Sequence, residues 1–228
     1  SDTETIVHAY EQYGEEAVTH LRGMFAFAVW DANTETLLLA RDRLGEKPLY
    51  YAELPGELIF ASEIKALLKH PRLSPEVDEA ALDLYLTLGY VPAPRTMFKG
   101  IRKLSPGCRL IARGQSVCVE PYWDVTIESP TTRPDEREAT AELRRLITQA
   151  VEERLMSDVP LGAYLSGGVD STLVVGLMSR AMGRPVDTYS VGFDESVHEK
   201  FNTDAGFARL ASRTFRTNHH PVVLSRGD

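Results

Sequence analysis

Cysteine is scarce: the 228 residues hold two, Cys108 and Cys118, on either side of an Arg-Gly-Gln turn. Two thiols exclude a disulfide-stapled fold and fall short of the four ligands a structural zinc site wants, so they read as a reduced cytoplasmic pair. The chain has no run of Lys and Arg; 25 basic side chains face 33 acidic ones, a net charge of −8. That balance argues against nucleic acid as a partner. No apolar stretch approaches the ~20 residues that span a bilayer, so no membrane contact is expected. Ser1 to Thr5 are polar and acidic, unlike a signal peptide. No internal repeat is visible, and no Gly-Lys-Ser/Thr occurs, so no lysine is placed to reach a γ-phosphate from a Walker A loop. What is present is a 43% hydrophobic chain, ample for a packed core and long enough for one large or two small domains.

Hydrophobic spacing divides it. Residues 5–21 are expected to be helical, with Gly14 as a break. The apolar run 24–30, the turn at Asp31-Ala32-Asn33 and the run 36–41 predict a buried hairpin. A second hairpin is expected over 49–52 and 58–61 around Pro55-Gly56, and a short helix over 63–69. A helix over 78–88 would present Ala81, Leu84, Tyr85 and Leu88 on one face. Strands 108–112 and 117–120 follow. Ile127 to Pro134 is rich in Ser, Thr and Pro without periodicity and reads as a linker. It separates a first domain, 1–126, from a second, 135–228. The second opens with an amphipathic helix over 135–156, then alternates strand 161–165, helix 171–182, strand 187–193, helix 203–215 and strand 218–224. That βαβαβ order predicts a parallel sheet, whose ligands bind at the carboxyl ends of the strands.

At one such end stands Ser166-Gly-Gly-Val-Asp-Ser171, between an apolar strand and an apolar helix. Gly167 and Gly168 lack a Cβ, so the backbone can take strained angles and an anion can come close. Free N–H groups at the helix start, helped by the helix dipole, would point at that anion. Ser166, Ser171 and Thr172 add hydroxyls, and Asp170 can hold a divalent cation on the phosphates. The loop is suited to gripping pyrophosphate.

This loop resembles the PP-loop of ATP pyrophosphatases, which split ATP into AMP and pyrophosphate while adenylating a substrate. Its surroundings narrow the likeness: Met156-Ser-Asp-Val-Pro160, Tyr189-Ser-Val-Gly-Phe193, and upstream the segments 22–31, 40–51 and 60–68. In that order they resemble glutamine-hydrolysing asparagine synthetases and related amidotransferases, along essentially the whole chain. The resemblance implies an α/β and α+β protein of two domains. The first is part of an N-terminal-nucleophile glutaminase (layered αββα), the second part of a parallel-sheet PP-loop domain like the adenine nucleotide alpha hydrolases.

The implied reaction takes glutamine-derived ammonia to a carboxylate, aspartate by expectation, that ATP has activated with Mg²⁺. An amidotransferase of an exopolysaccharide or exosortase locus with another acceptor, hinted at by Leu88-Gly-Tyr-Val-Pro-Ala-Pro, and an inactive nucleotide-binding fragment are the alternatives. A cytoplasmic enzyme, open to homodimerisation, follows from the likeness.

Site residues carry over one by one. Leu165, Ser166, Gly167, Gly168, Asp170, Ser171 and Val191 are the implied ATP-binding residues, with Asp170 the catalytic one through Mg²⁺-pyrophosphate; Val191 reads equally as strand core. Asp2 matches the aspartate that binds the α-ammonium of glutamine, or else is a helix N-cap. The family's nucleophilic cysteine, carboxylate-binding arginine and Asn-Gly oxyanion hole lie upstream of the segment that Ser1-Asp2 matches, and its second Ser-Gly-x-Gly loop lies downstream of Asp228. The chain therefore reads as an internal segment, inactive by itself. Ser1 is not expected to replace the nucleophile. Arg41, Asp42, Arg43 and Lys47 read as a salt-bridged structural turn rather than direct chemistry. Asp194 and Glu195 match an acidic pair of the family or cap the next helix. His219 and His220 are expected to be strand-end structure rather than metal ligands.

Overall fold

The computed structural model describes residues 1–127, 135–193 and 203–224. The chain forms two compact units, Ser1–Glu128 and Ser129–Asp228.

The first unit begins with α1 (Asp2–Tyr13), followed by a 3-10 segment, Gly14–His20. Ser1, not Asp2, is the cap. Its hydroxyl accepts from the Glu4 amide while the Glu4 carboxylate reaches back to the Ser1 nitrogen, a capping box. Strands β1 (Ala26–Asp31), β2 (Thr36–Arg41), β6 (Cys108–Arg113) and β7 (Ser116–Pro121) make an antiparallel sheet in the order β1-β2-β6-β7. Strands β3 (Tyr50–Leu54), β4 (Glu57–Ala61) and β5 (Arg102–Lys103) make a second, ordered β4-β3-β5.

The unbroken apolar run of β2 has a physical cause, since both its faces are covered. Leu39, paired with Leu110, packs with Tyr51 of the second sheet and with Leu49 and Leu104, which flank its strands. Leu38 and Ala40 pack with Val18 of the 3-10 segment and Tyr10 of α1. The expected buried hairpin is thus only half buried: β2 is, whereas β1 is an edge strand whose Trp30 stays 60% exposed. Two short helices, α2 (Ile64–Leu67) and α3 (Glu79–Leu88), complete the unit. The apolar face expected of α3 buries only Ala81; Tyr85 and Leu88 are exposed. Cys108 lies opposite Pro121 and Cys118 opposite Ile111, so the two thiols are not cross-strand partners, and both are free.

The turn after β2 corrects one expectation. Arg41 and Asp42 are buried, but neither answers the other. Arg41 donates to the carbonyls of Gly45, Lys47 and Leu104 at 2.6, 2.8 and 2.7 Å. The Asp42 carboxylate accepts from the amides of Phe25, Glu46 and Lys47. The turn is structural, as expected, but its charges serve main-chain groups instead of forming salt bridges.

The second unit starts with α4 (Glu136–Glu153), shorter than expected at its carboxyl end. It continues through β8 (Gly162–Tyr164), α5 (Val169–Met182), β9 (Asp187–Phe193), α6 (Thr203–Phe215) and β10 (Asn218–Leu224). The sheet is parallel, in the order β10-β9-β8. Strand order advances in one direction, so two right-handed crossovers place α5 and α6 on the same face. The packing agrees. Ala163 of β8 touches both the cluster of Val175, Ala208 and Ala211 and the cluster of Val151, Met178 and Val186. The opposite face is bare: Tyr164, Tyr189, Val191, Phe193, Val222 and Leu224 are all exposed. Most of the linker 127–134, and Asp194 and Glu195, lie outside the described residues. Among those described, no helix is long and apolar enough to cross a membrane.

Candidate functional site

Leu165 ends β8, with its amide donating to the Tyr189 carbonyl at 2.8 Å, and the chain then turns through Ser166 to Gly168 into α5. Gly167 sits at φ +82°, a left-handed conformation, and a Cβ there would come within 2.5 Å of the Ala208 amide and 2.6 Å of the Phe207 Cβ. Only glycine fits. The strain expected of both glycines belongs to this one alone: Gly168 has φ −67° and ψ 165°, and a Cβ on it would meet just the Ser166 hydroxyl at 3.5 Å.

Gly168 is the N-cap of α5 and no side chain caps the helix start. The amides of the first turn are left free for a ligand, and the dipole favours an anion there. The serines brace the turn. Ser166 accepts from the Gly168 amide at 3.4 Å and contacts the Ser171 hydroxyl at 3.0 Å, while Ser171 donates to the Gly168 carbonyl at 3.2 Å. To donate to a phosphate the hydroxyls must exchange these partners. Asp170, in the first turn of α5, is exposed.

Beside the turn, at the carboxyl ends of β8 and β9, lies a pocket of about 250 Å³. Leu165, Ser166 and Val191 line it together with Tyr164, Tyr189, Ser190, Asp204 and Ala205. Three predicted residues from two strands thus meet in one hollow. Gly168, Asp170 and Ser171 stand at the adjoining helix start, and Gly167 borders a groove of about 450 Å³ along α5. Val191 is 57% exposed, so it is not strand core. Sequence reasoning missed Ser190 and Asp204. The alternation of Tyr189-Ser190-Val191 along a strand was the available signal for the first, and the start of α6 for the second.

Asp2 belongs to the first unit, exposed in the first turn of α1 with its carboxylate on the Thr3 amide at 2.8 Å. The hydroxyl and ammonium of Ser1 are engaged with Glu4. His220 pairs with Asp187 at 3.2 Å and stacks on Tyr189, centroids 4.9 Å apart; this holds the Asp187 carboxyl below its usual range. His219 binds hydroxyls on β9. Neither histidine is placed as a metal ligand, and among the described residues no three His, Cys, Asp or Glu side chains gather for a metal. A divalent cation fits here only as one shared between Asp170 and the oxygens of a polyphosphate.

One unit presents an uncapped helix start beside a pocket at the edge of a parallel sheet, and the other is built on antiparallel sheets. Residues 1–123 match the glutamine amidotransferase domain family, and residues 142–228 match the asparagine synthase family. The chain thus joins a domain of the glutamine amidotransferase family to one that matches the asparagine synthase family. It is 36% identical over 241 residues to asparagine synthetase 3 (glutamine-hydrolysing) of Bacillus subtilis, covering 100% of this chain and 39% of that one. A putative asparagine synthetase 2 of Methanocaldococcus jannaschii is 33% identical over 233 residues, covering 100% and 44%. Among solved structures, a glutamine phosphoribosylpyrophosphate amidotransferase from B. subtilis, complexed with ADP and GMP, aligns over 97% of this chain and 39% of that one. Its TM-score is 0.37 and its identity 15%, a likeness that carries no further step. The chain belongs to the family of glutamine-hydrolysing asparagine synthetases, and it spans about two fifths of the length of the curated relatives named here.

Proposed function

We propose that the protein acts as an ATP-dependent amidotransferase of the asparagine synthetase type, which adenylates the side-chain carboxylate of aspartate and amidates it with ammonia from glutamine. The observation that carries this reading is the Gly167 turn leading into an uncapped α5 at the carboxyl edge of a parallel sheet, with the pocket of Leu165 and Val191 next to it. The pocket holds the nucleoside, and the free amides of α5 and the hydroxyls of Ser166 and Ser171 receive the β- and γ-phosphates. The amides are fixed by the fold before the reaction, so they stabilise the charge that builds on departing pyrophosphate without reorganising, whereas the hydroxyls must first exchange partners. Asp170 would hold Mg²⁺ against the same phosphates, and the cation would supply neutralising charge. Asp2, at the start of α1, is the proposed partner of the glutamine α-ammonium.

The full-length protein is tested with ATP, Mg²⁺, glutamine and aspartate. Pyrophosphate, AMP and asparagine should appear together and in equal amounts. Release of ADP and phosphate, or pyrophosphate formation indifferent to aspartate, would reject the proposal.

A further inference from the structure

The central strand β9 turns Thr188, Ser190 and Gly192 toward the helical layer, and all three are buried. Across them runs a chain of side-chain hydrogen bonds. The Thr217 hydroxyl donates to the Ser212 hydroxyl at 3.0 Å. Thr217 also contacts Thr188, oxygen to oxygen, at 2.8 Å. Register places His219 of β10 opposite Thr188, and its ring spans two positions of β9. Nδ1 lies 3.1 Å from the Thr188 hydroxyl and Nε2 lies 3.2 Å from the Ser190 hydroxyl.

Each hydroxyl has one proton, so the direction of one bond sets the rest. Thr217 gives its proton to Ser212, and Thr188 must therefore donate to Thr217. Thr188 can then only accept from His219, which puts the imidazole proton on Nδ1. Burial, with His220 and Arg209 nearby, holds His219 below the usual histidine value, so the ring is neutral near pH 7 and Nε2 is an acceptor. Ser190 donates to it. With its proton committed, the Ser190 oxygen offers lone pairs alone to whatever occupies the pocket it lines beside Leu165, Val191 and the start of α6.

We infer that Ser190 is a specificity-determining acceptor in this pocket, selecting a nucleoside that presents a hydrogen-bond donor there, and that His219 is the positioning residue that fixes its polarity. The inference rests on the nucleotide reading above and adds to it a residue and a rule of selection. The donor is either an exocyclic amine of the base or a ribose hydroxyl. A ligand carrying a carbonyl at that point would set two acceptors against each other.

Two measurements test it. Long-range proton–nitrogen NMR of the His219 ring, assigned by comparison with His219→Phe, should show protonated Nδ1 and bare Nε2. A proton on Nε2 would make Ser190 a donor and overturn the inference whatever the nucleotide result. Binding of ATP, ITP, 2′-deoxy-ATP and 3′-deoxy-ATP with Mg²⁺ is then compared in the wild type, Ser190→Ala and His219→Phe. Both variants should weaken ATP about fivefold, the size of one neutral hydrogen bond. They should leave unchanged the analogue that lacks the recognised donor: ITP if it is the amine, a deoxy nucleotide if it is a hydroxyl. Equal weakening of all four nucleotides, or of none, would overturn the role of Ser190. Failure of the wild type to bind any of them would overturn the nucleotide reading itself, an outcome distinct from loss of selectivity.

Discussion

Two glycines of the second unit share a backbone conformation and differ in surroundings, which makes them a controlled pair. Gly167 has φ +82° and Gly183, which ends α5, has φ +63°. Alanine at either position is strained by roughly 1–2 kcal/mol, since an L side chain is forced into the left-handed region. At Gly183 nothing lies within 4 Å of the added Cβ, so strain is the whole cost. At Gly167 the new methyl would meet the Ala208 amide at 2.5 Å, the Phe207 Cβ at 2.6 Å and the Phe207 carbonyl carbon at 2.7 Å. Two of those atoms are main chain of α6 and cannot rotate away. Relief requires moving α6 or the turn, and overpacking of this kind costs a further ~1–3 kcal/mol. Urea unfolding should therefore show Gly183→Ala destabilised by about 1–2 kcal/mol and Gly167→Ala by about 2–5 kcal/mol. Nucleotide binding should survive only in the first. Equal stability of the two variants, with ATP binding kept in both, would refute the steric argument and with it the claim that the turn is held against α6.

In the full-length enzyme, Asp170→Asn should leave glutamate production from glutamine intact and abolish pyrophosphate release, because it removes a charge from the helix start and little volume; equal loss of both activities would point to a folding defect. Tyr122 donates to the buried Arg41 carbonyl at 2.7 Å, and burial, with the charge of Asp42, pushes its phenol up to about 12. The folded state thus keeps a proton that the unfolded chain loses near pH ~10, so the contribution is complete below that pH and fades between it and 12; Tyr122→Phe should flatten alkaline unfolding curves in this window. Arg41→Met leaves the carbonyls of Gly45, Lys47 and Leu104 without their donor and should cost about 3 kcal/mol or more in thermal or urea unfolding, whereas exposed Arg145→Met should change stability by less than ~1 kcal/mol.

What could be read from the sequence was whatever depends on neighbours along the chain. Strand 187–193, helix 203–215 and strand 218–224 are found where apolar spacing puts them, even though each carries a Gly or Pro inside it. The Ser166 turn was legible for the same reason: strand, glycines and helix are contiguous. Illegible were features set by register and packing. The hydroxyl chain through His219 exists because His219 falls opposite Thr188, a pairing 31 residues apart. The charges of Arg41 and Asp42 looked like an ion pair because they are adjacent and opposite; the tight turn, with Phe25 and Leu104 brought beside it, supplies the carbonyls and amides they bind instead. The difference between Gly167 and Gly168 required the position of Phe207 and Ala208, forty residues on.

The one-sided layering of the second unit has a kinetic consequence. Among the described strands the order never reverses, so no crevice opens between helices that leave the sheet on opposite sides. On the proposed reading, a nucleotide at the Ser166 turn would rest on a ledge, with one flank toward the exposed Tyr164 and Val191. Two or three charge-assisted bonds to the phosphates then give roughly millimolar affinity. With encounter near ~10⁸ M⁻¹s⁻¹, residence lasts about 10 µs. Under the proposed function, the nucleotide would leave and return many times within a single catalytic cycle of ordinary length, and the waiting time for adenylation would be set by how often the carboxylate acceptor arrives during one of those visits.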